Sequence, residues 1–263
     1  MRGAIPIGLL ASLVLAAPAS AQVFLPLDPQ PDPPPPPEQA PPPAQERSQP
    51  GPSYARLSDE RTLSRWAHAV TRAKVRRRPD SDARSIARLR YDTEDGLPEV
   101  YLALRRYDAT DGMRWVQIRL PMRPNGRTGW VHRDALGRFH VVRTALLVDR
   151  KRMRATLYRR GERVWRAPVG VGAPGMHTPA GRFYVRERLK VRGHGSLYGP
   201  LAFGTSAYSK LSDWPGGGVV GIHGTNRPDL IPGRPSHGCV RVRNRAIKRL
   251  ARLMPIGTPV RIR

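Results

Sequence analysis

The sequence predicts a mainly β protein with two β-rich domains and one well-defined helix. From residue 70 to about residue 138, short strand-like runs alternate with turns such as Asp95-Gly96 and Pro124-Asn125-Gly126, which is typical of a small all-β barrel. From residue 139 onward, three further strand-like runs follow one another, and only one later segment has apolar residues at helical spacing. The segment 139–263 is long enough to bury a core of its own.

The N-terminus has the pattern of an export signal. Met1-Arg2 supplies a positive start, residues 5–17 form an apolar run, and Ala19-Ser20-Ala21 has the small-x-small pattern of a cleavage site. The run is too short for a membrane anchor. We therefore predict a signal peptide over 1–21, export to the periplasm or cell envelope, and no integral membrane span after cleavage. An uncleaved anchor is the alternative.

Residues 22–56 are predicted to be a disordered linker. The segment is rich in proline, including residues 33–37 and 41–43, and has almost no large apolar side chain after Leu27. Such a segment cannot bury a core and samples the polyproline II conformation.

Residues 57–138 are predicted to form a short helix and a small β-barrel domain. The helix is placed at 57–69, because Leu63, Trp66 and Val70 share a helical face. Trp115 and Trp130 are expected in the core. The strands are predicted at 70–75, 84–89, 100–104, 115–120 and 129–131. The segments 74–80 and 114–118, with the closing Gly129-Trp130-Val131, resemble the bacterial SH3-like domain of cell-envelope proteins.

The second domain, 139–263, is predicted to be mostly β. A helix is expected at 245–254, capped by Asn244 and stopped by Pro255, with Ile247 and Leu250 on its apolar face. The Gly-rich segment 192–196 is expected to be a mobile loop. Strands are predicted at 141–148, 153–158, 164–171, 182–188, 219–223 and 260–262.

The single cysteine of the chain lies in a motif that indicates thiol chemistry. Cys239 follows Ser236-His237-Gly238, and His223-Gly224-Thr225 precedes it across a Gly- and Pro-containing stretch that can fold back. A thiol becomes a useful nucleophile when a base takes its proton. We predict that Cys239 is the nucleophile, that His223 is the general base and acid, and that the Gly224 carbonyl orients the imidazole.

The residues around Cys239 are suited to supporting roles. The turn of His237 and Gly238 supplies backbone N–H groups for an oxyanion, and Ser236 is expected to hydrogen-bond within it. Arg241 is interpreted either as a ligand of a substrate carboxylate or as a tie for the loop. A rival interpretation makes His223, His237 and Cys239 zinc ligands.

The chain carries a large positive charge. Its formal net charge is +26, which favours anionic partners. No helix-turn-helix, zinc-finger or ribonucleoprotein pattern is visible in the sequence, and an exported protein rarely meets nucleic acid, so nucleic acid is not predicted as a partner. Anionic envelope polymers are the better match, and a solvated basic surface without a specific partner is the alternative.

The motifs together resemble the catalytic signature of the L,D-transpeptidase family of bacterial cell-wall enzymes. The resemblance extends over about 139–263 and rests on His223-Gly224-Thr225, the segment 236–241, and the further matches 178–183, 198–199 and 257–260. It implies a β-rich catalytic domain that acts on peptidoglycan stem peptides, with the loop residues His194 and Tyr198 over the substrate. It also implies no cofactor or metal, and a covalent adduct with carbapenems at Cys239.

What the resemblance implies chemically is a thioester on Cys239 that releases D-alanine and yields a 3-3 cross-link. The acceptor stays open at this point. Water would make the protein an L,D-carboxypeptidase or endopeptidase, and a lysine amine would make it a lipoprotein-to-wall attachment enzyme. A wall-binding protein without activity is a further alternative.

Overall fold

The computed structural model describes residues 51–193, 195–212 and 215–263, which cluster as one compact unit. The predicted signal peptide, most of the predicted linker and His194 lie outside the described residues. Within the described ranges, the only α-helix runs from Asn244 to Leu253, and the rest of the regular structure is almost entirely strands. The predicted mainly β fold is confirmed. No helix in the described part of the chain is long and apolar enough to cross a membrane.

The first sheet contains eight strands. Its order is β4-β3-β7-β6-β5-β2-β8, and β1 pairs with β5 beside β2. Trp115 is 2% exposed and Trp130 is 7% exposed, so both tryptophans lie in the core as predicted. The strands are β1 Ser53–Arg56, β2 Ser64–Ala67, β3 Lys74–Arg76, β4 Ser85–Arg88, β5 Tyr101–Asp108, β6 Arg114–Arg119, β7 Thr128–His132 and β8 His140–Val142. The resemblance of this region to an SH3-like domain stays a prediction.

The helix predicted over 57–69 is wrong. The Asp59 carboxylate accepts hydrogen bonds from the N–H groups of residues 61, 62 and 63, which holds this stretch in a turn. The chain then continues as β2, in which Trp66 lies opposite Leu102 of β5 and His140 of β8. Pairing on both sides with distant strands outweighs a helical spacing of a few apolar residues.

The strand predicted at 141–148 is two strands in different sheets. Residues 140–142 form β8 at the edge of the first sheet, and residues 144–149 form β9 in the second sheet. The strand predicted at 70–75 begins only at Lys74. The first sheet therefore extends to Val142 in the chain.

The second sheet contains nine strands in the order β10-β9-β17-β12-β13-β14-β16-β11-β15, and β10 also pairs with β11, which closes the path. Trp165, Phe183 and Phe203 lie in its core. The strands are β9 Thr144–Asp149, β10 Arg154–Arg159, β11 Glu162–Gly172, β12 Gly181–Lys190, β13 Leu201–Tyr208, β14 Val219–His223, β15 Gly233–Ser236, β16 Val240–Val242 and β17 Pro259–Ile262. The pattern of the sequence predicts six of these strands, but not β13, β15 or β16.

The helix α1 (Asn244–Leu253) packs Ile247 and Leu250 into the second core, as predicted. The predicted cap is wrong, because the helix is preceded by Arg243 and has no side-chain cap. The Asn244 side chain instead accepts a hydrogen bond from the Thr225 N–H at 2.9 Å. The helix thereby contacts the segment that follows His223.

Candidate active site

Parallel pairing of β14 and β16 brings the predicted nucleophile and base together. Ile222 lies opposite Val240 and His223 lies opposite Arg241, so the residue opposite Cys239 in this register is Gly221. Side chains two residues apart on a strand share a face, and His223 therefore projects on the same side as Cys239. A Cβ atom on Gly221 would lie 3.6 Å from His223 Cδ2 and 3.8 Å from Cys239 Sγ, so this glycine leaves room between imidazole and thiol.

His223 is held as a neutral base with a defined tautomer. Its Nδ1 lies 2.7 Å from the Gly224 carbonyl oxygen, and because a carbonyl only accepts, Nδ1 carries the proton and Nε2 is the free base. The side chain is 3% exposed. Burial lowers the pKa of His223 to about 4, although the hydrogen bond to Gly224 opposes this and the nearby Arg241 charge reinforces it. The imidazole is thus ready to accept a proton at neutral pH.

The Cys239 side chain lies beside the His223 imidazole, across Gly221. The thiol is partly exposed, and the Gly221 N–H donates a hydrogen bond to Sγ at 3.3 Å. Burial raises the pKa of the Cys239 thiol, while the Gly221 N–H and the charge of Arg241 act in the opposite direction. Together with the low pKa of His223, this favours a neutral thiol and a neutral imidazole at rest.

The turn before Cys239 is stabilised by Ser236. Its hydroxyl donates to the Cys239 carbonyl at 2.6 Å and accepts from the Gly238 N–H at 3.2 Å, as expected for a hydrogen bond within the turn. Gly238 has φ of +125°, a conformation that favours glycine. Because the Gly238 N–H is already engaged by Ser236, an oxyanion would need other N–H groups of this turn. His237 is exposed on the turn.

Cys239 and His223 open into a cavity of about 270 Å³. Tyr198 borders this cavity, and its ring centroid lies 4.8 Å from that of His223 at an interplanar angle of 59°. Arg241, predicted as a substrate contact, is not part of the lining and acts on the site through its charge. The lining residues are Asp95, Glu187, Leu189, Val191, Tyr198, Ala202, Phe203, Gly204, Val219, Gly221, His223 and Cys239.

Known proteins share this second domain. Residues 143–262 match the family profile described as "YkuD: L,D-transpeptidase catalytic domain". We refer to this segment as the YkuD domain, after the family whose profile it matches. Over 106 residues the chain is 36% identical to YkuD of Bacillus licheniformis, which is named as a candidate L,D-transpeptidase. The aligned segment covers 40% of this chain and 57% of the relative. Over 138 residues it is 31% identical to YbiS of Escherichia coli, named in the same way, covering 45% of this chain and 44% of the relative.

The chain thus spans about half the length of the curated relatives it matches. Among solved structures, a crystal structure of an Enterococcus faecium L,D-transpeptidase mutant is 27% identical. The aligned part covers 46% of this chain and 49% of that chain, with a TM-score of 0.36. The family profile matches only the second domain of this chain, and the first sheet lies outside the matched residues.

Two residues of the YkuD domain, Asn244 and Gly199, hold its His223 segment in place, a role that the sequence does not predict for either. Asn244 binds the Thr225 N–H, and a Cβ atom on Gly199 would lie 2.3 Å from Asn244 Oδ1 and 2.6 Å from the Gly224 Cα. Only glycine fits at residue 199, which also has φ of +61°. This close contact brings the neighbouring Tyr198 onto the His223 ring, and its signal in the sequence was the Tyr198-Gly199 pair.

The described part of the YkuD domain and of the first sheet contains no group of three or more His, Cys, Asp or Glu side chains placed to hold a metal ion.

Proposed function

We propose that the protein is a peptidoglycan L,D-transpeptidase that uses Cys239 as its nucleophile. The observation that carries the proposal is the pairing of Cys239 with a neutral, oriented His223 across Gly221, in one cavity. The YkuD-family match of residues 143–262 supports the same reaction class.

In the first proposed step, His223 Nε2 takes the thiol proton while Sγ attacks a carbonyl carbon of the stem peptide. This carbonyl joins the third residue, a diamino acid, to the terminal D-alanine. The tetrahedral intermediate collapses as His223 returns the proton to the leaving amine. D-Alanine departs, and the rest of the stem stays on Cys239 as a thioester.

In the second proposed step, the side-chain amine of a neighbouring stem attacks the thioester carbonyl. His223 accepts a proton from this amine and gives it to Sγ as the C–S bond breaks. The products are a 3-3 cross-link and the free thiol. One acyl bond replaces another in each step, and the imidazole ends in its starting state.

The surrounding residues have supporting roles in this proposal. The Gly224 carbonyl orients the imidazole, and Ser236 and Gly238 shape the turn that presents Sγ. Tyr198 covers the imidazole from the cavity side. We further propose that the chain is exported through the signal at 1–21, that carbapenems acylate Cys239, and that its basic charge favours anionic envelope polymers.

Incubation of the full chain with disaccharide-tetrapeptides, followed by mass spectrometry of the products, tests the proposal. The expected product is a 3-3 dimer together with free D-alanine, and both are absent with Cys239→Ala. Release of D-alanine with the disaccharide-tripeptide as the other product, and no dimer, would indicate water as the acceptor. Transfer to an added lysine-bearing peptide in place of a stem would indicate the attachment reaction. No release of D-alanine would contradict the proposed function.

A further inference from the structure

The cavity that contains Cys239 has a second, acidic end. Glu187 of β12 and Asp95 of the loop between β4 and β5 both line it. These carboxylates come from different sheets, because β12 belongs to the YkuD domain and the loop belongs to the first sheet. The first sheet therefore contributes a wall to the cavity of the catalytic domain.

Buried polar contacts hold the loop in this position. The Thr93 hydroxyl donates to Glu187 Oε2 at 2.5 Å. The Arg186 guanidinium, which is fully buried, binds Glu99 through Nε at 2.8 Å and Glu94 through Nη2 at 2.8 Å. A charged group this deep is stable only when its partners are fixed. Asp95 thus lies on a loop whose neighbours are anchored to the catalytic domain.

Glu187 lacks a donor for one of its oxygen atoms. The residue is 1% exposed, and Oε1 is buried with no hydrogen-bond partner among the described residues. Burial and the nearby Asp95 carboxylate raise the pKa of Glu187, and the Thr93 hydrogen bond and the Arg186 charge oppose them only in part. Buried acceptors are normally paired. An unpaired carboxylate oxygen beside a cavity is the arrangement expected where a ligand supplies the donor.

Glu187 and Cys239 lie in one row across the sheet. Glu187 is opposite Gly204, and Gly204 is opposite Gly221. Gly221 in turn is opposite Cys239 in the β14–β16 register. A Cβ atom on Gly204 would lie 2.1 Å from Glu187 Oε1. The Glu187 carboxylate therefore extends over Gly204, and Gly221 leaves a floor without a side chain between this carboxylate and the thiol.

The length of this floor matches a diamino acid. Because the Glu187 carboxylate extends over Gly204, two steps between neighbouring strands at about 4.8 Å each separate it from the thiol by about 10 Å. An extended side chain places its terminal nitrogen about 7 Å from the carbonyl carbon of the same residue. With the C–S bond at one end and an N–H···O contact of about 2.8 Å at the other, a slightly bent side chain of this length bridges the gap.

We propose that Glu187 and Asp95 form a subsite for the side-chain ammonium group of the diamino acid whose carbonyl is attacked by Cys239. The inference rests on the proposed function for the identity of the peptide. The ammonium group donates to Glu187 Oε1 and lies between the two carboxylates. The loop of the first sheet thereby selects the stem peptide that the catalytic domain acylates.

Binding to the full chain carrying Cys239→Ser tests the subsite without turnover. The probes are a stem tetrapeptide with a free side-chain amine and the same peptide acetylated at that amine. We expect the free amine to bind about tenfold to a hundredfold more tightly, as a charge-assisted contact in a buried site allows. Glu187→Gln, which keeps an acceptor for Thr93, should reduce the preference to within about threefold.

Asp95→Asn provides a second variant at an exposed position and should reduce the preference in the same direction. The matched control is Glu162→Gln, an exposed carboxylate at the start of β11, which should leave the preference unchanged. Equal affinity of the two peptides for the parent, no binding of either, or an unchanged preference in both Glu187→Gln and Asp95→Asn would overturn the subsite.

Acylation of the unmodified chain separates this inference from the proposed function. A thioester that forms equally with both peptides, in the parent and in Glu187→Gln, would overturn the subsite and leave the transpeptidase proposal in place. Tighter binding of the free-amine peptide without any thioester would overturn the transpeptidase proposal and leave the subsite in place.

Discussion

At one end of the cavity, His223 ends β14 and Cys239 immediately precedes the adjacent strand β16, and the two residues are 16 positions apart in the chain. At the other end, Asp95 and Glu187 are 92 residues apart and come from two sheets. The thiol end needs only the pairing of β14 with β16 and two local turns. The acidic end exists only while the loop of the first sheet stays against β12. In the proposed function, reactivity thus depends on local structure, whereas recognition of the amine depends on contacts between the two sheets.

The largest effect is expected at the thiol end, from His223→Ala. Loss of the base should lower kcat/KM for tetrapeptide by about a hundredfold to ten-thousandfold, the usual contribution of a positioned proton acceptor. Steady-state release of D-alanine measures this. His177→Ala, an exposed histidine of the same domain, is the control and should stay within about threefold of the parent. A loss below about tenfold for His223→Ala would mean that another group takes the thiol proton.

Arg186→Met tests the acidic end. Removing this buried guanidinium leaves the buried Glu99 with its contact to Arg90 but without that to Arg186, which should cost about 3 kcal/mol in the free energy of unfolding, the lower end for a broken buried pair. Denaturant titration measures the loss. The exposed Arg182→Met on the same strand should cost less than about 1 kcal/mol. Where Arg186→Met remains folded, it should lose the preference for the free amine and still acylate Cys239. If Arg186→Met lost acylation of Cys239 but kept the preference for the free amine, the contact between the sheets would support the thiol end and not the acidic end.

Asn244→Ala tests how local the thiol end is. The Thr225 N–H loses its acceptor, which should cost about 1 kcal/mol in the free energy of unfolding. Because this contact holds the segment after His223, kcat/KM should also fall by about tenfold. The exposed Arg249→Ala on the same helix should change neither quantity. An unchanged kcat/KM in Asn244→Ala would show that the His223 segment holds its position without the helix.

The smallest effect is predicted for a change of pH. With a pKa of about 4, His223 stays neutral well below neutrality, so kcat/KM should change by less than about twofold between pH 7 and pH 5.5. A histidine with the usual pKa of about 6.5 would lose roughly eightfold over this interval. Below the pKa the imidazole is protonated and cannot accept the thiol proton, which places the acidic limb near pH 4. A limb near pH 6.5 would contradict a buried, neutral base.

The thiol end could be predicted because its parts are contiguous in the sequence. The lone Cys239, the Gly238 turn and the strand that ends at His223 all depend on local chemistry, and the bond from His223 to the Gly224 carbonyl joins neighbouring residues. The strand β14 follows from its apolar run, whereas the short strands β15 and β16 on either side of Cys239 do not, because they have no clear alternation. The helix α1 follows from the period of its apolar residues.

The acidic end could not be predicted from the sequence. Asp95 precedes a glycine with φ of +73° and has the pattern of an ordinary turn residue, and Glu187 lies in a strand with several charged side chains. Only the contact between the two sheets brings them together. The wrong helix at 57–69 has a related cause, because pairing with the distant strands β5 and β8 decides the conformation of Trp66.

Intact-mass spectrometry of the full chain after brief incubation with a stem tetrapeptide tests the central claim most directly. The account predicts a mass increase equal to the tetrapeptide minus D-alanine, carried by Cys239 and absent in Cys239→Ala. An unchanged mass, with neither adduct nor released D-alanine at any time, or an adduct that survives in Cys239→Ala, would contradict it.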